Sequence, residues 1–201
     1  MATSAAPYGL RPVKRVDGMA YAGATSTYLI DPAGLANNIF NGSLVMRTAS
    51  GYIALATGTG ADITTNNLGG SSIGGLGVFM GCEYVDATGI VQHSQYYPSG
   101  TTGVVKCMVV DDPMVLFQAQ MAGATGIEDT WQNCGLTAAQ NATTSGSTTT
   151  GNSTMALNAT TASTAKAFKI IAFSSAATDT YADVLVQINP GAHAFTTDVG
   201  I

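Results

Sequence analysis

Few residues in this chain are equipped for chemistry. His93 and His193 stand 100 residues apart, and a Ser/His/Asp triad can be drawn on paper with Asp111 or Asp112 and one of many serines. Nucleophilic catalysis needs that base within hydrogen-bond reach of an activated hydroxyl. No nucleophile elbow, the strand–turn–helix setting that exposes such a serine, accompanies them. The two histidines lack metal-ligand spacing, and Glu83, Asp86 and the Asp111-Asp112 pair do not form a calcium-loop pattern. Cys82, Cys107 and Cys134 lie 25 and 27 residues apart with no C-x-x-C pair, which fits neither a zinc site nor a disulfide framework. Buried free thiols in a protein assembled in a reducing cytoplasm are expected. The run Gly69-Gly70-Ser71-Ser72-Ile73-Gly74-Gly75-Leu76-Gly77 precedes a strand instead of following one and opening a helix, so it reads as a surface loop and not a phosphate cradle. Tyr96, Tyr97 and Trp131 could stack on a ligand, but such residues more often anchor a core or a subunit interface. The expectation is a protein with no catalytic residues, no metal and no cofactor.

Composition leads the same way. The chain holds 30 Ala, 24 Gly, 14 Ser and 27 Thr, or 95 of 201 residues, while charged residues reach only 9%. An ordinary domain is about 25% charged, so a large surface is left uncharged, as suits packing against copies of itself or a lattice. Net charge is −5. Its distribution is uneven: residues 1–15 carry Arg11, Lys14 and Arg15 with no acid, and residues 16–201 carry four cations against all 12 acids. A basic arm on an acidic body can dock on an acidic neighbour. The body lacks the clustered Lys and Arg of a nucleic-acid footprint. No targeting segment and no run long enough to span a bilayer is read, so neither nucleic acid nor membrane is an expected partner.

The elements that must position these residues read as β. Candidate strands are Tyr28–Ile30, Leu44–Met46 after the Asn41-Gly42 turn, Tyr52–Ala56, Val78–Val85, Ile90–Tyr97, Val104–Val110, Met114–Gln120, Met155–Leu157, Ala167–Phe173 and Ala182–Ile188. Residues 78–97 read as a hairpin closed by Asp86-Ala87-Thr88-Gly89. Val104–Val110 reads as buried on both faces except at Lys106, and Asp111-Asp112-Pro113 breaks it from the next strand. Ile127, Trp131 and Cys134 fall at helical spacing within Thr125–Gln140, with Glu128-Asp129 suited to a helix N-terminus. Long connections are expected at Leu35–Asn41 and Gly58–Gly77, and a Ser/Thr-rich loop at 141–154. The predicted fold is all-β and mainly antiparallel, a β-sandwich or barrel with long loops, at most one short helix near 125–135, and an extended basic arm over residues 1–20 ahead of a single domain at 21–201.

Several short pieces in order carry a resemblance: Pro7-Tyr8-Gly9-Leu10-Arg11-Pro12-Val13, Tyr28-Leu29-Ile30, Gly77-Val78-Phe79-Met80-Gly81-Cys82, Tyr96-Tyr97-Pro98-Ser99-Gly100, Val109-Val110-Asp111-Asp112-Pro113 with Phe117-Gln118, and Val184-Leu185-Val186-Gln187-Ile188-Asn189. Over roughly Pro7 to Phe195 the chain resembles the small capsid-stabilising (decoration, or cement) proteins of tailed bacteriophages, particularly podovirus-like environmental phages. The resemblance implies a β-rich homo-oligomer, a trimer or a dimer, assembled in the host cytoplasm and bound to the major capsid protein on the outer head surface. It implies that Pro7–Arg15 grips the capsid or a neighbouring copy. Tyr8, Arg11, Lys14, Arg15, Tyr96, Tyr97 and Trp131 are the expected capsid or subunit-interface residues. A receptor- or glycan-binding head-fibre or adhesin module is the alternative expectation, and a hydrolase with a concealed Ser/His site a third.

Overall fold

Thirteen strands carry the fold: β1 (Arg11–Arg15), β2 (Ser26–Ile30), β3 (Ile39–Phe40), β4 (Leu44–Arg47), β5 (Ile53–Leu55), β6 (Gly75–Val85), β7 (Val91–Ser94), β8 (Tyr96–Tyr97), β9 (Val105–Val110), β10 (Val115–Gln120), β11 (Asn133–Cys134), β12 (Phe168–Phe173) and β13 (Asp183–Ile188). They are seen in a computed structural model that describes residues 4–56, 75–137, 145–159 and 166–196. The all-β expectation holds, and the pairing is mostly antiparallel. Strands β4, β5, β2, β9 and β6 pair in that order, and β4 pairs again with β6, which closes a five-stranded barrel. Strand β7 extends β6 outside the ring. A second sheet runs β1-β10-β13-β12-β11, and β3 and β8 form a short separate pair.

Side-chain alternation along shared strands builds two cores. Val45 of β4, Phe79 of β6 and Val109 of β9 point into the barrel, where they meet Ile30, Ile53, Tyr97 and Cys107. Their neighbours Leu44, Val78 and Val110 point outward and meet Phe117, Phe168, Ile170, Val184 and Val186 of the second sheet. Each fully buried side chain of this size stabilises the fold by roughly 1.5–3 kcal/mol. Strand β6 is therefore apolar on both faces from Gly75 to Phe79. Strand β9 differs from expectation: Lys106 and Met108 are both exposed, and burial on both faces comes only at Val109 and Val110. The second sheet covers β9 at that end alone. Gly77 permits the crossing of β6 and β9, because a Cβ there would lie 2.2 Å from the Val110 carbonyl oxygen.

Asp111-Asp112-Pro113 does more than end a strand. It carries the chain from the barrel into the second sheet, so that β9 and β10 belong to different sheets. The Tyr28 hydroxyl donates to Asp111 Oδ2 at 2.6 Å. Arg15 ion-pairs with Asp112, whose Oδ1 accepts from the Met114 amide at 2.8 Å. Gln187 Nε2 donates to the Pro113 carbonyl at 2.8 Å. Strands β1, β2, β10 and β13 are thus tied to one turn.

Two sequence expectations need revision. Residues 127–134 do not form a helix: Ile127–Asp129 is a single 3-10 turn and Asn133–Cys134 is strand β11, antiparallel to β12. Met155–Leu157 forms no strand, only bridges from Leu157 to Met121 and Leu136. In the described part of the Ser/Thr-rich loop, Ser145 and Ser153 are buried and Asn152 bridges to Asn41, while Thr148–Thr150 are exposed. Residues 141–144 of that loop lie outside the described residues, as do 58–74 of the Gly58–Gly77 connection and most of the glycine run.

Candidate functional site

The extended N-terminal segment lies on the body of the same chain. Leu10 is buried, and its amide donates to the Gly42 carbonyl at 2.9 Å. Beyond it, β1 pairs antiparallel with β10, with a bulge that leaves both Val13 and Lys14 facing out. The outer side of β1 is capped by the chain turning back on itself: the Arg15 amide donates to the Met19 carbonyl at 2.8 Å, and Lys14 bridges to Ala20. Pro12 and Lys14 further suit an edge strand that resists strand addition.

The expected contact residues of this segment come together there, with different degrees of freedom. The Arg11 guanidinium lies 4.4 Å over the Tyr8 ring, a cation–π contact. The Tyr8 hydroxyl donates to Asp183 Oδ1 at 2.9 Å. Burial and then the Asp183 carboxylate push the Tyr8 phenol well above its ordinary range. Arg15 pairs with Asp17 at 3.2 Å and with Asp112. The acidic body that the basic segment was expected to seek in a neighbour is partly its own. Lys14 alone of the three cations has no such engagement among the described residues.

The opposite edge of the same sheet carries Trp131. Its backbone φ is +71°, in the left-handed region, which costs a non-glycine residue about 1–2 kcal/mol. Hydrogen bonds hold it there: the Trp131 amide donates to the Ile170 carbonyl at 2.8 Å, and the Ile170 amide to the Gln132 carbonyl at 3.0 Å. The indole is 65% exposed and Ile127 is 70% exposed. Helical spacing had grouped Ile127, Trp131 and Cys134 on one side of a helix. The turn instead sends Cys134 inward and the other two outward, a left-handed excursion that no local sequence rule signals at a tryptophan.

Tyr96 and Tyr97 differ in burial, Tyr96 half-buried and Tyr97 buried. Tyr96 stacks on Phe40 with ring centroids 5.7 Å apart. Tyr97 corrects the interface expectation, since it is fully buried in the barrel. Its hydroxyl accepts from the Leu35 amide at 2.9 Å and donates to the Thr101 carbonyl at 2.8 Å, so it fastens two loops across the barrel end. The three cysteines are free and buried. Cys82 and Cys107 face each other across β6 and β9, and burial pushes the thiols of Cys82 and Cys134 up to about 12.

The histidines occupy unlike settings. His93 lies on the outer barrel face in a row with Glu83 and Lys106, which flank Glu83 at 3.8 and 3.7 Å. His193 is fully buried at the start of β6, where it bridges to Gly75. Its Nδ1 accepts from the Phe195 amide at 3.2 Å, and its Nε2 has no hydrogen-bond partner among the described residues. Burial lowers its pKa, and Asp111 and Asp112 oppose that shift. Asp111 therefore lies near a histidine, as the drawn triad required, but that imidazole is sealed from solvent.

An open groove of about 400 Å³ lies beside the β6–β7 turn, lined by Tyr84, Val85, Asp86, Ser99, Thr101 and Thr102 among others. Its carboxylate is already engaged. Asp86 accepts from the Thr88 hydroxyl at 2.6 Å, from Gln92 Nε2 at 2.8 Å and from the amides of Thr88 and Ile90 at 2.9 and 3.0 Å. These bonds, the Thr88 hydroxyl first, hold the carboxyl far below the usual range. The groove offers the hydroxyl-bearing side chains of Ser99, Thr101 and Thr102 beside Tyr84.

Neither a protein-family model, nor a curated protein, nor a solved structure matches this chain. The functional reading therefore rests on these surfaces and on the sequence.

Proposed function

We propose that the chain is a virion structural protein that binds the outside of a tailed-bacteriophage head, after assembly in the host cytoplasm, and stabilises the lattice by bridging the major capsid protein and copies of itself. The observation that carries this reading is the display of large apolar side chains on the turns and loops that border the strands of a charge-poor chain. Met19, Ile90, Val104, Ile127 and Trp131 are each at least 59% exposed, and charged residues make up only 9% of the sequence. Exposed apolar groups of this kind mark contact surfaces when they cluster. Many modest contacts repeated over a lattice give strong retention through multivalency, and the small side chains that dominate the composition lose little rotamer entropy when ordered. Carboxylates at Asp86, Asp112 and Asp183 are engaged in holding turns and strands together. The resemblance to phage cement proteins supports the same role.

Co-sedimentation with expanded heads tests this. Saturable binding at a fixed ratio to the capsid protein is expected, and a purified chain that stays in the supernatant sinks the reading. Deleting residues 1–15 would remove buried Leu10 and all of β1, so surface substitutions such as Lys14→Glu are the appropriate probes of the N-terminal segment. The groove of Tyr84, Ser99, Thr101 and Thr102 favours the second reading, a glycan-binding module. Retention on a glycan array that is lost on Tyr84→Ala would support it over the first.

A further inference from the structure

We propose that copies of this chain associate head to tail through the two opposite edges of the second sheet, the β1 edge of one copy against the Trp131 edge of the next. Each edge presents exposed apolar side chains. Val13 and Val16 are each 43% exposed and Met19 65% at the first, with Ile127 at 70% and Trp131 at 65% at the second. Each edge also carries a charge that is open to the other. Lys14 has no carboxylate partner and Glu128 no cation partner within ion-pair distance among the described residues. Strands β10, β13 and β12 lie between β1 and β11, so the edges stand about 19 Å apart at an ordinary strand spacing. They cannot meet within one molecule, and the complementary surface belongs to a second copy.

The mode of contact follows from the backbone. Residues 19–21 already cover part of the outer side of β1, so the edges meet through side chains and not by strand addition. Trp131 keeps a left-handed backbone that puts its indole in solvent. Tryptophan is over-represented among the residues that dominate interface energies. A contact between two different surfaces of identical chains is heterologous. It closes a ring where the rotation allows and otherwise builds an open filament. This contact stands whether or not the chain binds a phage head.

The chain contains one tryptophan, so indole emission reports this edge alone. In a dilution series of the purified full chain, the emission of concentrated samples is expected to be blue-shifted and shielded from acrylamide, in step with association followed by sedimentation velocity. Trp131→Gly suits the positive φ and removes the anchor. It should retain its thermal melt and raise the dissociation constant by roughly 30-fold or more, the loss of a hot spot. Lys14→Glu and Glu128→Lys should each weaken association alone, while the double variant, which reverses the pair at every contact, restores it. A chain that stays monomeric, an oligomer that Trp131→Gly leaves unchanged, or a charge-reversed double variant that fails to reassociate would each overturn the proposal.

Discussion

In the barrel, Phe79, Tyr97 and Cys107 are fully buried and every strand of the ring has a neighbour on both sides. The second sheet buries Phe117, Phe168 and Val186 against that barrel but ends at β1 on one side and β11 on the other, with Met19, Ile127 and Trp131 in solvent beside those ends. Closure removes edges, and an open sheet must dispose of two. The difference separates labour within the molecule. Aromatic residues in the barrel fix the fold, while the aromatic residue at the sheet edge is free to engage a partner. Tyr97 and Trp131, alike in the sequence as candidate anchors, fall on opposite sides of this division.

The sharpest test of the division is to delete one aromatic side chain from each region. Phe79→Ala leaves a void in the barrel core and is expected to lower stability by about 3–5 kcal/mol, measured by denaturant unfolding. A loss under about 1 kcal/mol would mean that the barrel core collapses to fill the space. Tyr97→Phe keeps the ring but leaves the Leu35 amide and the Thr101 carbonyl without the hydroxyl they share. It should cost about 1–3 kcal/mol. Trp131→Gly should be neutral or slightly stabilising, because relief of the positive φ offsets the entropy gained by the unfolded glycine. A marked loss of stability there would show that the exposed indole supports the fold.

The junction between the regions has its own signature. His193 is buried with its pKa depressed below the ordinary 6.5, so the unfolded chain binds a proton that the folded chain resists. The stability this group contributes is present above pH 6.5 and is lost as pH falls through that value toward the folded pKa. Melting temperature should therefore decline as pH falls below about 6.5, and His193→Gln should flatten that slope. A wild-type slope retained in the variant would place the titration elsewhere. Asp86, whose pKa is lowered by its own turn, contributes at more acid pH and leaves this window clear.

Much of the barrel was legible in the sequence. Asp86-Ala87-Thr88-Gly89 closes the β6–β7 hairpin where the turn chemistry placed it, since Asp86 bonds its own backbone two and four residues on. The break at Asp111-Asp112-Pro113 also stands, between β9 and β10. That these two strands enter different sheets was not legible, because pairing partners are set by contacts distant in sequence. Strand β1 was hidden for a similar reason. Arg11-Pro12-Val13-Lys14-Arg15 has the composition of a solvated arm, and only the exposed edge of β10 makes it a strand. At the second edge, the spacing of Ile127, Trp131 and Cys134 fitted a helix, and the left-handed backbone at Trp131 undid that pattern.

The claim that this β-scaffold holds a capsid lattice through its surface is tested most directly by its occupancy on expanded phage heads, wild type beside Lys14→Glu and Trp131→Gly. Saturable binding by the wild type, with reduced occupancy for both folded variants, is the predicted result. No binding by a folded, self-associating wild-type chain would contradict the lattice role and leave the edge-to-edge contact standing on its own.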